Sequence, residues 1–559
     1  MLRFTATIAL SALAVSSAWA DTPADAPLSP AARNAELNAP LPPEQAALKS
    51  HIMFLASDAM RGRDTGSPEY EVAAQYVASQ FYEQGLRPAG DDGSYLQKVP
   101  LVSFKPADKG SLSLTGKAGK TDLVFGEDYI PGTDPSRAAT MVSAPVVFVG
   151  YGIVAPQFKR DDYKGVDAKG KIVAFFGGAP SAFPGEERAH FGSPTTKAAI
   201  AAAHGAIGYV TIESPLTATM RPFKAAAENW DRPRFTWANA DGTGHLPVAQ
   251  TPGLGSLSQA GGAKLFAGAK TSWAKLWQAA GKDGATFTAE QLPATLAVSL
   301  KTATTPVVSY NVAGLLQGSD PTLGQEVVVL SAHLDHVGVG KPNAKGDTIY
   351  NGALDNAMGV ASLIEEAKRF KASGQAPKRS ILFLAVTAEE KGLIGSDYYA
   401  NNPTLPKDKL VADVNLDMPI ITYKFTDVIA FGAQHSSIGP SVQRAAESMG
   451  LTMGADPMPE EGFFVRSDHY RFVQQGIPSV FLWPGMAGPG KAAVEKFLAT
   501  NYHKPSDEVV QSDPIDWESG ARFVQINYAI ARDLADSAAR PSWNKGDFFG
   551  TLYNGYGAK

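Results

Sequence analysis

The chain has 559 residues, 44% of them hydrophobic and 19% charged, with a net charge of -5 and no cysteine. That balance excludes a disordered or fibrous chain and gives no electrostatic reason for nucleic acid or an anionic membrane as a partner. The length predicts two or three compact units, and the missing thiols leave His, Asp and Glu as the strong ligands for any metal.

The first twenty residues, MLRFTATIALSALAVSSAWA, set Arg3 before a short apolar run and end in Ala18, Trp19, Ala20. This small-x-small ending predicts a signal peptide over 1–20 and an exported product, periplasmic or secreted. The apolar run is shorter than the ~20 residues of a spanning helix, and no later segment suits one, so membrane insertion is not expected. Residues 21–45 are rich in Ala and Pro without periodicity and read as a mobile leader.

Order is expected from residue 46, where the N-terminal part of the main domain runs to 127. Within it YEVAAQYVASQFYEQG, residues 70–85, has the spacing of an amphipathic helix ending at Gly. Between 128 and 302 short runs such as VVFVGYGIV and KIVAFFGG alternate with Gly, Pro and Asp clusters, with one helix-then-strand unit, KAAIAAAHGAIGYVTI. This predicts an inserted β-rich domain.

From 303 to 540 the pattern is strand, loop, helix, repeated: EVVVLSAH, AMGVASLIEEAKRF, RSILFLAVTAEE, LVADVNLDM, TDVIAFG, SVQRAAESMG, IPSVFLW. Continuous β-branched runs between amphipathic helices predict an α/β domain with a largely parallel, mixed sheet and helices on both faces. The tail, residues 541–559, is aromatic-rich and aperiodic, suited to packing across the body or to binding a partner.

In such sheets ligands bind beyond the carboxyl ends of the strands. His333 and Asp335 follow VVVLSA, Asp355 precedes the next helix, Glu389 and Glu390 follow ILFLAVTA, Asp417 follows VADVNL, and His503 lies beyond the last strand. Each alone reads as a cap or turn residue. Together these acids would repel one another unless a cation sat among them, and this donor set without thiols suits a pair of zinc ions. His336 duplicates a role already filled. Asp468 and His469 read as local structure, His204 and His245 as structural or surface residues, and Phe463 and Phe464 as packing or a pocket wall.

The motifs AHLDHVG, NGALDNAMG, VTAEEKGLIGS, NLDM and YHKPSD, in that order and spacing, resemble metallopeptidase family 28. These are co-catalytic di-zinc aminopeptidases related to glutamate carboxypeptidase II, the transferrin receptor and glutaminyl cyclases. The resemblance runs from about His51 to about residue 535, and the inserted region looks like a protease-associated domain. It implies His333 and Asp417 as ligands of one zinc, Glu390 and His503 of the other, and Asp355 as the bridge. It further implies that Asp335 holds the ligand imidazole in its tautomer, and that Glu389 is the general base acting on a metal-bridging water. Tyr502 is then an oxyanion donor or a packed aromatic. The implied activity is removal of N-terminal residues from peptides with a free amine, with two zinc ions per chain. The alternatives are a glutaminyl cyclase-like enzyme, a carboxypeptidase-like enzyme in which Arg466 meets a substrate carboxylate, and a non-catalytic binding protein on the same scaffold.

Overall fold

The structure, a computed structural model, describes residues 29–559 with the exception of residue 460. The signal peptide expected over 1–20 and the first residues of the leader lie outside the described residues. From Pro30 the leader differs from expectation, because it forms the helix Pro30–Leu37 and then enters the helix Pro43–Leu55. Each begins with proline, whose missing N–H is not needed in a first turn. The second helix buries Leu48, Ile52 and Leu55 against the helices Met358–Ala372 and Trp517–Asp536. Packing of this apolar stripe fixes the second helix from Pro43 onward, whereas Pro30–Leu37 buries no residue.

The main sheet is built on β1 (Leu96–Pro106), β2 (Glu290–Leu316), β3 (Val327–His333), β4 (Ser380–Val386), β5 (Leu410–Asn415), β6 (Asp427–Phe431), β7 (Thr452–Gly454) and β8 (Ser479–Pro484). Their spatial order is β1-β2-β4-β3-β5-β8-β6-β7. The four central strands, β4, β3, β5 and β8, run parallel, and antiparallel partners flank them. Every residue of β3, β4 and β5 is buried. Along β3, Val328, Leu330 and Ala332 enter one core while Val327 and Val329 enter the core on the opposite face, beside Tyr399 and Phe472. Two-sided burial is why these strands read as unbroken apolar runs.

β2 is 27 residues long and serves two sheets. Its second half pairs with β1 and β4, and its first half pairs with Ser111–Gly116 and Ala139–Phe148. Beyond Ala139–Phe148 the second sheet continues in parallel through Ile172–Phe176, Gly208–Ile212 and Gly253–Leu257. It has its own core around Phe148, Phe176, Leu254 and Leu265. Residues 111–122 pair within this sheet, although the composition changes only near residue 128. Besides Pro194–Ala203 the body contains the short helices Gly185–Gly192, Gln259–Leu265 and Trp273–Ala280. Helices of two turns carry too little periodicity to be read from sequence.

The bodies meet through specific polar contacts. Trp237 Nε1 donates to Asp397 Oδ2 at 2.7 Å, and His190 Nδ1 lies 2.9 Å from the Tyr470 hydroxyl. His435 sits between Glu186 of the second body and Asp547 of the tail, 2.5 Å from Asp547 Oδ2. The tail packs on the main body: Trp543 and Phe549 join its core, and Trp543 Nε1 donates to Gly476 O at 2.7 Å. Among the described residues no helix is long and apolar enough to cross a membrane.

Candidate metal centre

The chain leaves β3 toward β4 on one side and returns through β5 on the other, so β3 ends at a topological switch point, where open parallel sheets form their binding crevice. His333 is the last residue of β3, Glu389 and Glu390 follow β4, and Asp417 follows β5. Asp355 lies in the irregular turn Ala353–Ala357 that opens the helix Met358–Ala372, and its peptide bond to Asn356 is cis. Ala388, Met418 and His503 have positive φ of 56°, 43° and 53°. Non-glycine residues hold this conformation only where their surroundings over-determine it, and here each adjoins or is a rim residue.

The two oxygens of Asp355 face different histidines. Oδ1 is 3.3 Å from His333 Nε2 and Oδ2 is 3.2 Å from His503 Nε2. Asp417 Oδ1 is 3.0 Å from His333 Nε2, and Glu390 Oε2 is 3.0 Å from His503 Nε2. Donors about 2.05 Å from one tetrahedral zinc stand roughly 3.3 Å apart. The imidazole–carboxylate distances of His333 to Asp355 and Asp417, and of His503 to Asp355 and Glu390, lie near that spacing, and His336 is grouped with Asp355 and Glu390 as well, so the donor set fits two zinc ions sharing one carboxylate.

The acids and imidazoles of this cluster shift one another's titration strongly. Burial works against charge on His333, yet the carboxylates of Asp417, Glu389 and Asp355 hold its imidazole well above the usual range. Burial likewise lowers His503, but Asp355 and Glu390 raise it to about 10. Burial and Asp355 push Glu390 up; the His336 and His503 rings overcome both and bring it down to about 2. For Glu389 burial, helped by the neighbouring acids, outweighs the pull of the His333 ring and drives it well above the carboxylate range. Zinc takes deprotonated ligands, so a zinc ion held by these residues would compete with protons for them.

Asp335 is fully buried. His333 Nδ1 is 3.1 Å from the Asp335 carbonyl and 4.0 Å from its Oδ1. The carboxylate itself accepts from the N–H groups of Glu389 and Glu390, at 3.0 and 3.3 Å, and from Thr65 Oγ1 at 2.9 Å. The imidazole therefore meets the backbone carbonyl, while the carboxylate aims the Glu389–Glu390 loop. Tyr502 packs its ring on His503, with centroids 3.9 Å apart, and burial raises its hydroxyl pKa. With Glu389, Met418, Phe463, Phe481, Trp483 and Leu498 it lines a cavity of about 210 Å³ over the donor cluster. Arg466 stands at this cavity, 3.1 Å from Glu461 Oε2.

His336, which the sequence offers only as a duplicate, also belongs to this cluster: it is fully buried, with Nδ1 2.8 Å from Glu390 Oε1. Its place in AHLDHVG, on the same loop as His333, was the available signal. Asp468 accepts from Ser396 Oγ at 2.5 Å, and both it and His469 are fully buried. His204 stacks on Tyr163 in the second body, and His245 stacks on Trp237 of the strand Arg234–Trp237, which pairs with β1. Phe463 lines the cavity, whereas Phe464 packs toward the tail against Phe549. Sequence reasoning also passed over Ser467, whose hydroxyl donates to Asp417 Oδ2 at 2.5 Å, and Asp507 of YHKPSD, which accepts the Asp355 N–H at 2.9 Å.

Comparison with known families supplies the remaining observation: residues 311–531 match the model of peptidase family M28. The matched region is similar to a peptidase family M28 domain. This region holds all of β3 to β8 and every donor named above. The chain is similar to leupeptin-inactivating enzyme 1 of Streptomyces exfoliatus, 30% identical over 235 residues that cover 40% of this chain and 48% of that protein. It is also similar to aminopeptidase YwaD of Bacillus subtilis, 27% identical over 41% of this chain and 45% of that protein. The matched stretch thus spans less than half the length of either relative. Among solved structures, the aminopeptidase from Aneurinibacillus sp. strain AM-1 aligns with 20% identity and a TM-score of 0.46, over 89% of this chain and 95% of that one.

Proposed function

We propose that the protein is an exported zinc-dependent aminopeptidase that binds two zinc ions and hydrolyses N-terminal residues from peptides with a free amine. The observation that carries this reading is Asp355, whose oxygens address His333 and His503 separately. One carboxylate between two three-donor sets serves two cations and leaves each with an open position, as catalysis requires. The kinship with aminopeptidases of the M28 family supports the substrate class. The second body is proposed to be a protease-associated domain.

Two zinc ions bound here would supply a water of lowered pKa and positive charge for the developing oxyanion. Glu389 receives the proton of the attacking water and delivers it to the departing amine. Its side chain lines the cavity, while its backbone N–H is held by Asp335 Oδ1, so the carboxylate is aimed without being tied up. Tyr502, at the same cavity, donates its hydroxyl hydrogen to the carbonyl oxygen as charge develops there. The apolar wall of Met418, Phe463, Phe481 and Trp483 takes the N-terminal side chain and excludes water.

The test is a zinc count with a paired peptide panel. Two zinc ions per chain are expected, with cleavage of unblocked peptides, none of N-acetylated ones, and loss of activity on chelation that added zinc reverses. Cleavage of blocked peptides, or cyclisation of N-terminal glutamine without hydrolysis, would replace this reading with one of the alternatives. A folded, zinc-free and inactive protein would make the chain a binding module.

A further inference from the structure

The segment MRGRDTG, residues 60–66, lies outside the matched family region and far upstream of every donor, yet it packs beneath them. Arg61, Gly62 and Arg63 all have positive φ, 44°, 70° and 48°. A Cβ on Gly62 would lie 2.5 Å from the carbonyl oxygens of Gly338 and Tyr350, so this turn is clamped beneath the loop that joins β3 to Asp355. Only glycine permits that approach.

Arg63 is 1% exposed and donates only to backbone carbonyls. Nε bonds Leu334 O at 3.0 Å, Nη1 bonds Leu55 O at 2.5 Å and Asn351 O at 2.6 Å, and Nη2 bonds Gly352 O at 3.1 Å. Leu334 stands between His333 and Asp335, while Asn351 and Gly352 lead into the turn holding Asp355. In return, the His336 N–H donates to Arg63 O at 3.2 Å. Two residues on, Thr65 Oγ1 donates to Asp335 Oδ2, and Asp335 in turn holds the N–H groups of Glu389 and Glu390.

A buried guanidinium beside so many acids would ordinarily pair with one. Here its planar fork spans two donor loops and leaves the carboxylates to face the metal positions. We infer that Arg63 and Thr65 are positioning residues of the metal centre: Arg63 fixes the His333 loop relative to the Asp355 turn, and Thr65 fixes Glu389 and Glu390 through Asp335. The inference rests on the two-zinc reading above. A lysine keeps the charge but has no fork to reach carbonyls on both loops, so Arg63→Lys separates geometry from charge.

The experiment uses the full chain and its Arg63→Lys and Thr65→Val variants, with zinc affinity from chelator competition and peptide hydrolysis under titrated zinc. Arg63→Lys should weaken at least one zinc by about 10- to 100-fold, the range for losing a group that orients metal ligands. Its kcat should fall at stoichiometric zinc and recover in excess zinc, with KM within twofold of wild type. Thr65→Val should lower kcat about three- to tenfold with both zinc ions retained, and it decides the matter alone if Arg63→Lys does not fold. A lowered melting temperature with zinc affinity and kcat unchanged would reduce the turn to a structural element and overturn the inference. A wild-type chain that binds no zinc would instead sink the two-zinc reading, so the two failures are distinguishable.

Discussion

Both bodies of the molecule bury ionisable side chains, and they treat them in opposite ways. In the second body Lys197 is 1% exposed and its Nζ donates to the carbonyls of Tyr151 and Gly178, at 2.6 Å for the latter. Nearby, Arg160 Nε lies 2.9 Å from Asp162 Oδ1, and Asp162 Oδ2 accepts the N–H groups of Tyr151 and Ile153 at 3.1 Å each. There one cation faces one carboxylate, and backbone groups take up Lys197 Nζ and Asp162 Oδ2. At the rim of the main sheet, Glu390 Oε1 and both ring nitrogens of His336 are buried without a well-aligned hydrogen bond, and four acidic or imidazole groups crowd around Asp355. Convergence of unsatisfied ligands, rather than burial of charge, is what distinguishes a site from a structural ion pair.

The largest expected effect comes from removing the shared carboxylate. Asp355→Ala deletes both bridging oxygens, and metal analysis should find fewer than two zinc ions per chain with peptide hydrolysis at background. Retention of both zinc ions would break the contrast between the bodies at its centre. Glu389→Gln sharpens it, because this acid lines the cavity without a hydrogen-bonded imidazole. Its kcat should fall about 10³-fold, within the range for a general acid–base group, while zinc content stays at the wild-type value. An active Glu389→Gln enzyme would move the base elsewhere.

The smallest effect on activity belongs to the second body. Lys197→Met leaves two buried carbonyls unpaired, at about 1–3 kcal/mol each, so its melting temperature should drop while kcat of the folded enzyme is unchanged. The pH dependence follows from burial, which lowers Lys197 from 10.5 to about 7. Between about pH 7 and 10.5 the unfolded chain carries the extra proton, so this group adds stability as pH rises through that window and withholds it below. Denaturation of wild type and Lys197→Met should therefore diverge in favour of wild type from pH 7 to 10. A constant difference would mean that Lys197 is not desolvated.

How much was legible can be traced residue by residue. The unbroken apolar runs of β3, β4 and β5 identify two-sided strands, and the polar residues after each run identify the rim, because burial on both faces leaves charge nowhere else to go. His333, Asp355, Glu390, Asp417 and His503 stand where short-range pattern and motif order put them. Three features were not legible. The start of a helix at Pro43 depends on helices hundreds of residues away that receive Leu48 and Ile52. The membership of residues 111–122 in the second sheet depends on β2 being long enough to serve two sheets. The supports of the centre, Arg63, Thr65 and His336, are single residues whose meaning lies in which distant carbonyl or carboxylate they touch.

The sequence by itself determined the α/β alternation, the rim and its chemistry, since periodicity and strand ends are local properties of the chain. Only the tertiary structure decided that Asp355 turns one oxygen to each histidine, that the Asp335 carboxylate holds Glu389 and Glu390 while its carbonyl meets His333, and that Arg63 ties two donor loops together. Those arrangements are distances between segments far apart in sequence. Such distances are fixed when the sheet and its helices pack, by contacts that leave no periodic trace in the chain.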